Sequence, residues 1–190
     1  MSRINWFLGR RLEADRFDNE AVTVLEKLPP GPELAMAYSN RAQLHMIDED
    51  PEAAVLWGLR AIELAKSLGV TEILVHALNN VGAAEYRAGN EKGRVKLEES
   101  LRLALSNNFQ EHAARAFTNL GSCALRQRNY KVAMRYFDDG IAYTTEHELD
   151  SFRLYMTASR GRARFEQGDW DQAADDAAYV LSVYRVSGVT

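Results

Sequence analysis

With 190 residues, 46% of them hydrophobic and 26% charged, the chain suffices for one large domain or two small ones and is too apolar to be disordered by composition. A formal net charge of −4 argues against a general nucleic-acid binder, which carries a basic excess. No apolar run approaches the roughly 20 residues that span a bilayer, Ile4 to Leu8 is too brief for a secretory leader, and the lone Cys123 fits a reducing, cytoplasmic setting.

Asn5 to Ala14 and Asp18 to Leu28 read as a degenerate leading helix pair, and Pro29-Pro30-Gly31-Pro32 breaks the helix and links it onward, so residues 1–32 form a leading segment. From there the chain repeats. The column Asn40, Asn80, Asn119, Ser159 recurs at intervals of 40, 39 and 40. Two further columns, Ala54, Gly93, Ala133, Ala173 and Ile62, Leu101, Ile141, Leu181, recur at 39, 40 and 40. Three columns agreeing over four units define repeats at 33–70, 71–109, 110–149 and 150–190, joined in one solenoid domain over 33–190. The shift between columns places one missing residue in the second unit, around Gly89 and Asn90.

Each unit predicts two helices: 33–47 and 51–67, 72–88 and 91–106, 111–127 and 130–145, 151–167 and 170–185. The turns inside units carry helix stop and start residues: Asp50-Pro51, Gly89-Asn90, Arg128-Asn129 and Gly168-Asp169. Between units, Gly69 ends a helix and Thr71 is placed to cap the next, while Val70, Phe109 and Leu149 recur as plugs. Ala42, Gly82, Gly121 and Gly161 allow close helix approach, met by the small column of the second helices. A helix pair of this size cannot bury its apolar face alone, so pairs must stack.

Little chemistry is visible. No two of His45, His76, His112 and His147 have the i, i+4 spacing of a helical metal site, so no metal or cofactor is expected. Cys123, between Ser122 and Ala124, reads as a buried inert thiol. The run Gly89 to Arg94 lacks the spacing and final Lys-Ser/Thr of a phosphate loop. Asp48-Glu49-Asp50 reads as an acidic helix entrance. The doublets Glu98-Glu99, Asp138-Asp139 and Asp175-Asp176 read as solvated charge on second helices, and Trp6, Trp57, Trp170 and Tyr136-Phe137 as packing residues. No enzyme activity is expected.

Asn80-Val81-Gly82, Asn119-Leu120-Gly121, Asn129-Tyr130, Gly168-Asp169-Trp170, Ala133 and Ala173 resemble the tetratricopeptide family, over roughly residues 33–185. The unit of about 40 residues exceeds the family's usual 34 and is similar to the arrays of bacterial signal-transduction ATPases and LuxR-like regulators of the maltose-regulator kind. Arg41 and Arg160 depart from the pattern by filling a column that is usually apolar; Glu85 and Arg164 fill one that is usually aromatic or small. The resemblance implies an all-α, right-handed α-solenoid of antiparallel helix pairs that binds a peptide or helix in the concave groove lined by its first helices.

Carried over by column, that groove takes Met36, Ser39, Gln43 and Ile47 in the first unit, then His76, Asn79, Ala83 and Arg87, then Arg115, Thr118, Ser122 and Arg126, and last Tyr155, Ala158, Arg162 and Glu166. Each quartet follows one helix stripe. Four arginines stand against one glutamate there, in a chain of net charge −4. Arginine forms bidentate pairs with carboxylates, so the expected ligand-binding residues are His76, Asn79, Arg87, Arg115, Thr118, Ser122, Arg126, Tyr155 and Arg162, and the expected partner is a protein or peptide of acidic character. The competing readings are arginines that merely solvate or pair within the array, a polyanion, and an effector-sensing region of a larger ATP-dependent transcription regulator. Neither a membrane nor, for this segment, a nucleic acid is expected as partner. The last second helix carries Ala174, Ala177, Ala178, Val180, Leu181, Val183 and Tyr184, more apolar surface than one side can bury, so a further repeat or a homodimer through the C-terminal helix is expected to cover it.

Overall fold

The computed structural model describes residues 1–186, with the side chains of all but Ser2, Arg3, Phe7, Tyr184, Arg185 and Val186. Among them ten helices follow in order: α1 Ser2–Phe7, α2 Arg11–Leu25, α3 Pro32–Ile47, α4 Pro51–Leu68, α5 Thr71–Arg87, α6 Glu91–Ser106, α7 Gln110–Arg126, α8 Tyr130–Glu146, α9 Asp150–Glu166 and α10 Trp170–Val186. The described residues contain no strand. The helices fall into two compact units, α1–α6 within Met1–Asn107 and α7–α10 from Asn108 onward.

One local device makes the turn inside each of the four repeats. Its middle residue, Glu49, Gly89, Arg128 or Gly168, has φ of 57–85°. The next residue then donates its backbone N–H to a carbonyl five residues back, at 2.9–3.0 Å: Asp50 to His45, Asn90 to Glu85, Asn129 to Ala124 and Asp169 to Arg164. That closes the first helix. The side chains of Asp50, Asn90 and Asn129 accept from Ala53 N, Lys92 N and Val132 N at 3.1, 3.0 and 3.4 Å, which opens the second.

The missing residue of the second repeat, 71–109, lies inside α6, because the turns inside all four repeats have the same length. Gly93 N bonds Asn90 O, three residues back, where Ala54, Ala133 and Ala173 bond four back to Asp50, Asn129 and Asp169. A tightened first turn absorbs the deletion.

The leading pair is shifted from its expected place: α1 is only six residues and α2 begins at Arg11. Asp18 is not a helix start; it lies buried inside α2 and pairs with Arg41. Thr71 is the first residue of α5, and Val70 holds the cap position without a side-chain bond. Val70, Phe109 and Leu149 are half-buried.

In the first unit Tyr38, Ala61, Ile62, Ala77, Leu78 and Val81 share one core of α3, α4 and α5. Gly58 admits Val81, because a side chain at Gly58 would collide with the Val81 methyl. In the second unit Leu120, Phe137 and Met156 are fully buried, and a Cβ at Gly121 would stand 2.6 Å from Phe137 Cδ1.

The charged departures from the apolar columns are all paired. Arg41 bonds the Asp18 carboxylate, the Asp18 carbonyl at 3.2 Å and Asn19 Oδ1 at 2.9 Å, and its guanidinium lies 4.4 Å over the Trp57 ring. Burial raises the Asp18 carboxyl pKa, while the Arg41 bond acts against that rise. Lys96 holds Glu85 at 2.7 Å. Arg160 grips Asp176 through Nε at 3.1 Å and Nη2 at 2.6 Å, and Arg164 adds a third bond at 2.8 Å. Asp176, expected as solvated charge, is therefore 4% exposed, because two arginines of α9 draw it inward. Trp170 differs in the other direction: it is the first residue of α10 and is 68% exposed, so it packs little.

Candidate binding surface on the first helices

The expected stripe behaves differently in the two units. In the first it is largely closed by packing. Ser39 Oγ lies 2.7 Å from His76 Nδ1, and Asn80 Nδ2 donates to the Ser39 carbonyl at 2.9 Å. His76 is 2% exposed and Asn79 1%. Gln43 and Ala83 are buried as well, and Arg87, half-buried, donates to the Met46 carbonyl at 3.4 Å. Polar residues on this stripe join α3 to α5, with Met36 and Ile47 half-buried at its ends.

In the second unit the stripe opens along α7 and α9. Arg115, Thr118 and Ser122 are half-buried, and Thr118 Oγ1 donates to the Ala114 carbonyl of its own helix at 2.8 Å. Arg126, Ala158 and Arg162 are exposed, as is Tyr155 at 54%. Arg162 donates to Glu166 at 2.8 Å, and Tyr130 donates to the same carboxylate at 3.1 Å. The Arg162 bond, with the Tyr130 bond behind it, lowers the Glu166 pKa.

Of the nine expected site residues, then, Arg126, Tyr155 and Arg162 are exposed, Arg115, Thr118 and Ser122 are half-buried, Asn79 is buried, and His76 and Arg87 make contacts within the first unit.

One groove escaped the sequence reading, and a second lies where apolar surface was expected on the last helix. A groove of about 810 Å³ runs between α2 and α3 in the first unit, lined by Phe17, Val24, Leu25 and Met36, with Glu20 and Glu33 beside them. Its α2 wall follows from the true register of that helix, which no repeat column covers. A second groove, of about 750 Å³, lies on α9 and α10 and includes Phe165, Trp170 and Leu181. Among the described residues no three His, Cys, Asp or Glu side chains could hold a metal ion, and no helix is long and apolar enough to cross a membrane. Cys123 is buried.

No family model and no curated protein matches the sequence. Solved structures do match. A Rap protein complexed with competence and sporulation factor superposes with a TM-score of 0.87 at 17% identity over 97% of this chain; the chain spans about half, 52%, of that protein's length. The signal-transduction ATPase with numerous domains and a tetratricopeptide repeat sensor from Pyrococcus horikoshii gives 0.72 at 17% identity, over 97% of this chain and 29% of its own. A putative kinesin light chain from Podosopora anserina, with nearly identical TPR-like repeats, gives 0.71 at 15% identity, over 100% of this chain and 93% of its own. At such identities the likeness carries the fold and nothing finer: the chain is an all-α, right-handed solenoid of antiparallel helix pairs of the tetratricopeptide-like kind.

Proposed function

We propose that the chain is a non-enzymatic protein-interaction module that receives a peptide or helix of acidic character on the α7–α9 face of its second unit. The observation that supports this is the exposure of Arg126, Tyr155 and Arg162 on one register stripe of first helices. Tyrosine and arginine are the residues that dominate binding energy at interfaces. The stripe of α7 and α9 carries Arg115, Arg126 and Arg162 against Glu166 alone, which favours a carboxylate-bearing ligand. A Rap protein of this fold has been solved with a bound factor, which is consistent with the same use of the fold here.

Affinity capture with the intact chain, compared with Arg126→Ala plus Arg162→Ala and quantified by mass spectrometry, tests the reading. The doubly changed chain should keep its helicity and lose a salt-sensitive subset of bound proteins. The same bound set for both chains, at low and high salt, would refute it.

A second reading is the effector-sensing region of a larger ATP-dependent transcription regulator. It is favoured by the likeness to a signal-transduction ATPase whose sensor is a tetratricopeptide repeat, of which this chain covers 29%. A small effector would then protect the same α7–α9 face in hydrogen exchange without any protein partner.

A further inference from the structure

The groove on α9 and α10 has a counterpart inside the molecule. The lining residues Gly161, Ala173, Ala177, Val180 and Leu181 stand 119 positions after Ala42, Ala54, Gly58, Ala61 and Ile62 of α3 and α4. That earlier set is buried, at 0% exposure for Ala42, Ala54 and Ala61 and 8% for Ile62. Ala61 and Ile62 share a core with Ala77, Leu78 and Val81 of α5, and Gly58 receives the Val81 methyl. Of the later set, Gly161 and Ala173 are buried where α9 meets α10, whereas Ala177 is exposed, Leu181 is 56% exposed, and Phe165 and Trp170, at the ends of the groove, are 65% and 68% exposed.

We propose that this groove, which shares Ala158 and Arg162 with the α7–α9 stripe, is a docking site in its own right and that its occupant is an amphipathic α-helix of a protein partner seated as α5 is seated on α3 and α4. Within its own unit, the α9–α10 face thereby offers a seat of the kind that α3 and α4 offer to α5. The chemistry of the occupant follows from the differences between the two seats. On α5 the seam is Leu74, Ala77, Leu78 and Val81, spaced i, i+3, i+4, i+7. Under Val81 lies Gly58, with no room for one more carbon; the α9–α10 seat has Ala177 there, and Val180 where α4 has Ala61. The partner helix therefore carries a small residue, alanine or glycine, in the place of Val81. Long apolar residues one and two turns before it fit the part of the seat where isoleucine is replaced by leucine, a change of shape with no change of volume.

The test uses the full chain and a labelled 17-residue peptide of residues 71–87 with Val81→Ala, read by fluorescence anisotropy. Saturable binding is expected. It should weaken at least tenfold with Ala177→Glu in the protein, whose circular dichroism should stay unchanged because residue 177 is exposed. The peptide with the native Val81 should bind more weakly than the Val81→Ala peptide, and a peptide with Leu78→Asp should not bind. Absence of binding would overturn the proposal, as would binding indifferent to Ala177→Glu. So would sedimentation showing that the chain alone forms a dimer that Ala177→Glu dissolves, since a second copy would then own the seat. Arg162 lines this groove as well as the α7–α9 stripe, so the two readings are separated by Ala177→Glu, which lies only in the groove, and Arg126→Ala, which lies only in the stripe. Loss of the peptide with Ala177→Glu but not with Arg126→Ala supports the groove, and the reverse overturns it.

Discussion

Gly121 and Arg128, seven residues apart, show two opposite uses of backbone freedom. Gly121 is helical, and it is glycine because the Phe137 ring occupies the space of a side chain, with Cδ1 2.6 Å from where a Cβ would lie. Gly121→Leu should cost roughly 1–3 kcal/mol or more by overpacking, and a denaturant midpoint unchanged from wild type would show that the ring moves away freely. Arg128 has the reverse problem. At φ 57° it holds the left-handed position that Gly89 and Gly168 hold in the neighbouring repeats. A residue with a Cβ loses roughly 1–2 kcal/mol there, and replacing it by glycine returns about 0.4–1 kcal/mol of that through the freer unfolded chain. Arg128→Gly should thus stabilise by a few tenths to about 1 kcal/mol, measured by the same melts. The close contact was legible in the sequence, since small residues recur in one column. The strain was not, because the turn reads as a turn whether glycine or arginine stands in its middle.

At the scale of elements, α9 and α10 are joined by charge where the repeat pattern calls for apolar packing. Asp176 of α10, 4% exposed, accepts three bonds from Arg160 and Arg164 of α9, while Asp138 of α8, in its exposed setting, accepts one from Arg160 at 2.8 Å. Removing a buried partner leaves uncompensated charge, at about 3–5 kcal/mol; removing an exposed one costs on the order of 0–1 kcal/mol. Asp176→Ala should therefore unfold the α9–α10 pair well before Asp138→Ala is felt, and equal denaturant shifts for the two would show that water reaches the Asp176 cluster. The sequence flagged Arg160 and Arg164 as departures from the column but could not supply their partner, because an Asp in a doublet on a second helix looks solvated. Asp18 and Arg41 repeat the lesson across 23 residues. A local cap signal at Asp18 moved the expected leading pair out of register, and only a long-range bond explains why that aspartate sits inside a helix. The candidate site shows the same limit. Columns say which side of a helix His76 and Asn79 occupy, not that Ser39 and Asn80 close that side.

At the scale of the whole molecule, the two units are unequal. The first holds three helix pairs, although α1 has only six residues, and α2 is tied down by Arg41 to Asp18 and by Arg60 and Tyr38 to Glu26, at 3.0 and 2.9 Å. The second holds two pairs and leaves Phe165, Trp170 and Leu181 more than half exposed. Stacked helix pairs need about three repeats before apolar burial outweighs the ordering of the chain. Residues 1–107, expressed alone, should therefore melt in one cooperative transition followed by circular dichroism and calorimetry. Residues 108–190 alone should show a broad, shallow loss of helix with little calorimetric enthalpy. The charge cluster at Asp176 does not alter this expectation, since a buried ion pair gives little net stability while it specifies which helices meet. If residues 108–190 melt as sharply as 1–107, the small-residue contacts at Gly121 and Gly140 bury enough apolar surface for two pairs to stand alone, and the three-repeat requirement does not govern this chain.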